Sequence, residues 1–114
     1  MKYSINYTKK FKKNLRLCQK RGYDMNLFEQ VSNLLETTGS LPSQYHPHKL
    51  SGKYAGLWEC HIQGDWLLIW SQDDTELILL FTDTGTHSDL FQIEKPTSPL
   101  QEAAFLYLVF TFPG

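Results

Sequence analysis

The chain has 114 residues, enough for one domain with one core, and its 41% hydrophobic and 20% charged content is that of an ordinary globular protein. The first residues lack the apolar stretch of a signal peptide, the longest apolar run (Phe105 to Phe110) is too short to span a bilayer, and two cysteines, Cys18 and Cys60, are too few for a disulfide scaffold. A net charge of −1 hides a segregation, because residues 1–21 carry eight of the eleven Lys and Arg and no acid. The expectation is a cytoplasmic protein with no membrane role. Its basic N-terminal element suits either an anionic partner such as a nucleic acid or plain exposure to solvent.

Tyr3, Ile5 and Tyr7 alternate with polar residues, which predicts a half-buried strand over residues 2–7. Thr8 is placed to cap a helix whose apolar stripe is Phe11, Leu15 and Cys18 and whose other face is lysine-rich. Gly22 stops it. Asp24 is a second N-cap, Leu27, Phe28, Val31, Leu34 and Leu35 form the next buried stripe, and Gly39 ends that helix. Residues 40–53, with Pro42, Pro47, Gly52 and two histidines, read as a surface loop. Three strands follow, with turns at Gly64-Asp65 and Gln72-Asp73-Asp74: one around Trp58 to Ile62, one from Trp66 to Trp70, one from Glu76 to Thr82. The fold class is therefore α+β, in the order β-α-α-β-β-β, with an antiparallel sheet and the two N-terminal helices on one face. After a linker at residues 94–99, Ser98, Pro99 and Gln101 resemble a helix start. The run from Phe105 to Phe112 is then expected to be helical, packing on the body or forming a self-association patch.

His46, His48, His61 and His87 fall in the second half of the chain with Asp65. Their spacing matches no familiar zinc site, since His46-Pro47-His48 lacks a helical pair and Cys60 and His61 point to opposite sides of a strand. Cys60, between Trp58 and Ile62, reads as core rather than as a nucleophile. Metal-free acid–base chemistry fits better. RNA carries its own nucleophile, the 2′-OH, and imidazole titrates near neutrality, as the acid and base of such a cleavage should. An aromatic side chain can stack on an unpaired base, and His48, His61, His87, Trp66 and Phe91 supply the residue types. The competing view is a set of scattered loop residues and core aromatics.

The runs His48-Lys49-Leu50-Ser51-Gly52, Trp58-Glu59-Cys60-His61-Ile62, Asp65-Trp66-Leu67-Leu68-Ile69-Trp70 and Thr84-Gly85-Thr86-His87-Ser88-Asp89-Leu90-Phe91 closely resemble, in order, the YafQ family of bacterial toxins within the RelE superfamily. The resemblance covers about Met1 to Phe91. It implies a RelE-like, microbial-RNase-like toxin domain over residues 1–91, with 92–114 as a C-terminal extension. It further implies an mRNA interferase that cleaves mRNA in the ribosomal A site with no cofactor and no metal. Such toxins are neutralised by an antitoxin of the DinJ/RelB type in a heterotetramer, and meet operator DNA only through that antitoxin.

Carried over residue by residue, the resemblance makes His48, His61, Asp65 and His87 catalytic. His87 is then the general acid, His48 or Asp65 the general base, and His61 a phosphate-positioning group. Trp66 and Phe91 hold a base. Lys9, Lys10, Lys12, Lys13, Arg16, Lys20 and Arg21 lie along ribosomal RNA. One position departs: where the family carries a phosphate-binding arginine, this chain has Asp83. Two unit charges 4 Å apart interact by about 1 kcal/mol in water and about 4 at an effective dielectric near 20, so a carboxylate there would repel the scissile phosphate. Two remedies are open: Lys49 or Lys53 reaches the phosphate, or Asp83 orients His87. The alternative is a catalytically weakened family member that acts by binding antitoxin or ribosome.

Overall fold

A computed structural model describes residues 2–91. Strand β1 (Ser4–Tyr7) leads directly into helix α1 (Lys9–Lys20). Thr8 is extended, and its hydroxyl accepts from the Phe11 N–H at 3.0 Å, satisfying one of the orphan donors of the first turn. Helix α2 (Met25–Thr38) is capped by Asp24, which accepts from the Asn26 N–H at 2.9 Å. It ends at Gly39, where φ is +70°, and the Gly39 N–H donates to the Leu35 carbonyl. Only glycine fits that position, because a Cβ would lie 2.6 Å from the ring of Tyr3.

The remaining elements are β2 (His48–Lys49), β3 (Trp58–Gln63), β4 (Trp66–Asp73), β5 (Ile78–Gly85) and the short helix α3 (His87–Leu90). Strand β2 is a two-residue pairing inside the stretch read as loop, flanked by single 3-10 turns at 43–45 and 52–54. The sheet order is β1-β5-β4-β3-β2. Its neighbours are antiparallel except β1 and β5, which run parallel, so the sheet is mixed and not wholly antiparallel as expected. The physical reason is the helical crossover: α1 and α2 return the chain across one face, which allows a parallel neighbour for β1.

Both faces of the sheet are covered. On one side Phe11, Cys18, Phe28, Val31 and Leu35 from the helices pack on Leu68, Trp70 and Phe81. On the other, Leu50 from the loop and Leu90 and Phe91 from α3 pack on Leu67 and Ile69. Burial on both faces explains why residues 66–70 read as one apolar run and not an alternation. Cys60 is fully buried, and burial pushes its thiol up, as suits a core residue. Among the described residues no helix is long and apolar enough to cross a membrane. The helix expected after Ser98 lies outside the described residues.

Candidate active site

The site is built where β5 hands over to α3. Gly85 has φ +148°, and a Cβ there would meet the Asp89 side chain at 2.8 Å, so the turn closes only around glycine. Thr86 and Asp89 form a reciprocal capping box. Arg21, at the end of α1, donates twice to Asp89, at 2.6 and 3.2 Å. That guanidinium holds the Asp89 carboxyl down at about 2. The turn carrying His87 is thereby tied to α1.

His87 Nδ1–H donates to Asp65 Oδ1 at 2.5 Å, from the turn between β3 and β4. The carboxylate holds Nδ1–H and so leaves Nε2 as the nitrogen for proton transfer. The His61 ring lies 6.1 Å from that of His87. His61 Nδ1–H donates to the Gly64 carbonyl at 3.0 Å, and its Nε2 has no hydrogen-bond partner among the described residues. In the neutral form this leaves the lone pair on Nε2. His48 has both nitrogens engaged: Nδ1 with the His46 carbonyl at 2.9 Å, Nε2 with Glu59 Oε1 at 3.3 Å.

Glu59 was not singled out from the sequence. It is fully buried, burial pushes its carboxyl up, and His48, His87 and His61 pull the other way. Its signal was parity: Glu59 and His61 are two apart on β3 and share a face. His46 was also missed as a site residue. Its ring stands edge-on to His61 at 5.5 Å. Its backbone is left-handed, φ 49°, just before Pro47, where proline further disfavours helical angles. Such strain costs on the order of 1–3 kcal/mol and tends to collect at functional sites.

On the other side of His87 the Phe91 ring stacks at 6.0 Å, and Tyr54, a third residue missed, meets Phe91 edge-on at 5.2 Å. Lys53 Nζ sits over Tyr54 at 5.2 Å from the ring centroid. The run His46, His61, His87, Phe91, Tyr54 is thus continuous, with Asp65 and Glu59 behind it.

Three expected site residues lie elsewhere. Trp66 is 4% exposed, packs on Tyr23 at 5.0 Å and donates its indole N–H to Thr84, so it belongs to the helix-side core. Strand alternation explains this: Trp66, Leu68 and Trp70 share that face, whereas His61 pairs with Leu67 on the other. Lys49 Nζ lies over Trp58, on the face away from His48, and does not reach the cluster. Asp83 faces α1, where it accepts from Asn14 at 2.6 Å and pairs with Lys10 at 3.1 Å. A bulge between β4 and β5, with Ile69 opposite Asp83 and Trp70 opposite Phe81, breaks the alternation there. The carboxylate that orients His87 is therefore Asp65 rather than Asp83. On the basic helix, Lys10 and Arg21 are committed to Asp83 and Asp89. Lys9, Lys12, Lys13, Arg16 and Lys20 are exposed or half-buried at its surface.

Residues 3–92 match the model of the YafQ family, bacterial toxins of type II toxin–antitoxin systems. The chain is 39% identical to the mRNA interferase toxin YafQ of Escherichia coli K12 over 88 residues, 76% of this chain and 94% of that protein. The crystal structure of the E. coli DinJ–YafQ toxin–antitoxin complex superposes with a TM-score of 0.72 at 36% identity, covering 80% of this chain and 99% of that one. A metal-bound toxin from Helicobacter pylori superposes equally, TM-score 0.72 at 35% identity, covering 78% and 99%. Among the described residues of this chain, no three His, Cys, Asp or Glu side chains are grouped to hold a metal ion.

Proposed function

The chain belongs to the YafQ family of toxins from bacterial type II toxin–antitoxin systems, and from that membership and the site geometry we propose that it is a ribosome-dependent mRNA endonuclease. The observation that carries the reading is the paired histidines, His61 and His87, 6.1 Å apart with opposite preparation. His61, its Nδ1–H held by Gly64, offers a lone pair at Nε2 and takes the proton of the 2′-OH. His87, its Nδ1–H held by Asp65, donates from Nε2 to the 5′-oxygen that leaves. The 2′-oxygen bonds to phosphorus, the P–O5′ bond breaks, and the products are a 2′,3′-cyclic phosphate and a 5′-OH.

In this assignment Asp65 is a positioning residue and not the base, and His48 is paired with Glu59. Lys53, over Tyr54, offsets charge on the phosphorane, and Phe91 with Tyr54 receives a base. The exposed lysines of α1 lie along ribosomal RNA in the bacterial cytoplasm. An antitoxin of the DinJ type neutralises the domain formed by residues 1–91, as a heterotetramer that alone meets operator DNA. Residues 92–114 are an extension of that domain.

One observation favours a second reading, a weakened enzyme that acts by binding: the family arginine is absent, and its place is taken by Asp83. Against it stands the direction of the Asp83 carboxylate, toward Lys10 and Asn14. Induced expression in a bacterium, with and without the cognate antitoxin, separates the two. Growth arrest that the antitoxin relieves, and that His61→Ala and His87→Ala abolish, supports the enzyme. Arrest unchanged by both substitutions supports the binding protein.

A further inference from the structure

Beside the acid–base pair lies a cleft of about 320 Å³ that the proposed mechanism does not use. Its lining runs over residues 44–46 and 61–64 and does not include His87. It sits at the lower end of small-ligand pocket volumes, which run from about 300 to 1,000 Å³, and so has room for a single base. His61, 7% exposed, forms one wall of the cleft. Opposite it stands His46, in a strained left-handed backbone fixed by its N–H to the Ser43 carbonyl. Nothing in the chemistry assigned to His61 and His87 needs that strain.

We propose that this cleft is the subsite for the unpaired base of the nucleotide that supplies the 2′-OH. The inference rests on the endonuclease reading and adds a polarity to it. If His61 takes the 2′-OH proton, that nucleotide lies on the His61 side, and its base enters the cleft. The nucleotide on the leaving-group side then lies toward His87, with its base at Phe91 and Tyr54. Tyr45 and His46 contribute aromatic faces for stacking, which tolerates any base. The amides of Gln44 and Gln63 each carry a donor and an acceptor, and add preference for one base edge over another.

The test is single-turnover cleavage of mRNA on programmed ribosomes, read as kcat/KM, with two mRNAs: one normal, one abasic at the nucleotide bearing the reactive 2′-OH. His46→Asn removes most of the aromatic face while tolerating the left-handed backbone, and His46→Phe retains a ring. Loss of one stacked base corresponds to about 5- to 150-fold. The expected result is that loss for His46→Asn on normal mRNA, near-normal cleavage by His46→Phe, and the same loss for wild type on abasic mRNA. Combining His46→Asn with abasic mRNA should add nothing further. Gln63→Ala, at an exposed turn, should flatten the ranking of the four bases at that nucleotide. Independent, multiplying losses for His46→Asn and the abasic site, in a wild type that cleaves, overturn the subsite and leave the endonuclease intact. A wild type that cleaves no mRNA on ribosomes overturns both.

Discussion

Replacing Asp65 by asparagine isolates the part of the site that distinguishes an acid from a bystander histidine. The amide would keep the size and could still accept from His87 Nδ1–H, but the change would remove the negative charge now 2.5 Å from that nitrogen. Unit charges about 4 Å apart interact by about 1 kcal/mol in water and about 4 at an effective dielectric near 20. The Asp65 side chain is 52% exposed and that of His87 17%, so the site lies between these limits. A loss of about 2 kcal/mol of attraction between the two side chains is expected to fall on the chemical step and to lower its rate by about 30-fold. The assay is single-turnover cleavage on programmed ribosomes across pH 6 to 9. Thermal stability should move little, by about 0.5 kcal/mol at a half-exposed position. Wild-type rates at every pH, or a uniform deficit that tracks a loss of folded protein, would refute the role given to Asp65.

Glu59→Gln should stabilise the protein at neutral pH. The folded state raises the Glu59 carboxyl above its unfolded value, so ionising it opposes folding. That penalty is absent below the unfolded value and grows as pH rises through it. A gain on the order of 1 kcal/mol, about 4–8 °C in Tm, is expected at pH 7.5 and none at pH 4; the reverse order would contradict the burial argument. Asp89→Asn works in the opposite sense. The folded carboxyl lies at about 2, below its ordinary 3.8, so its contribution is present above about 4 and fades as pH falls toward 2. Because the pair with Arg21 is partly exposed, about 1 kcal/mol or less should be lost at pH 7, with the two melting curves converging near pH 2. Asp83→Asn should leave cleavage nearly unchanged, since Asp83 faces α1. Asp83→Arg should destabilise by about 3–5 kcal/mol, by placing an unpaired guanidinium at a buried position beside Lys10. Faster cleavage by a well-folded Asp83→Arg protein would show that the family arginine was what this chain lacked.

The caps and periods of the helices were legible because they are local: Thr8, Asp24 and Gly39 act within four residues of themselves. The parallel pairing of β1 with β5 was not, since it depends on partners about 74 residues apart. The site divides in the same way. His61, Asp65 and His87 announce themselves by residue type and by the turns that carry them. Trp66 could have been assigned to the helix side from strand alternation with Leu68 and Trp70; its expected role came from the resemblance alone. Asp83 could not be oriented without the bulge that breaks alternation. Glu59 shared a face with His61 by parity, but its pairing with His48 rests on β2, two residues that no pattern marks. His46 was hidden for a further reason, because a left-handed backbone is uncommon for any residue but glycine and more so before proline.

The most direct test of the account is the chemistry of the cut ends after this protein acts on mRNA in programmed ribosomes. Cleavage by His61 and His87 predicts a 2′,3′-cyclic phosphate on the upstream fragment and a 5′-OH on the downstream one. Both products should be lost in His61→Ala and in His87→Ala. A 3′-OH with a 5′-phosphate, or intact mRNA under conditions in which the toxin binds the ribosome, would contradict it.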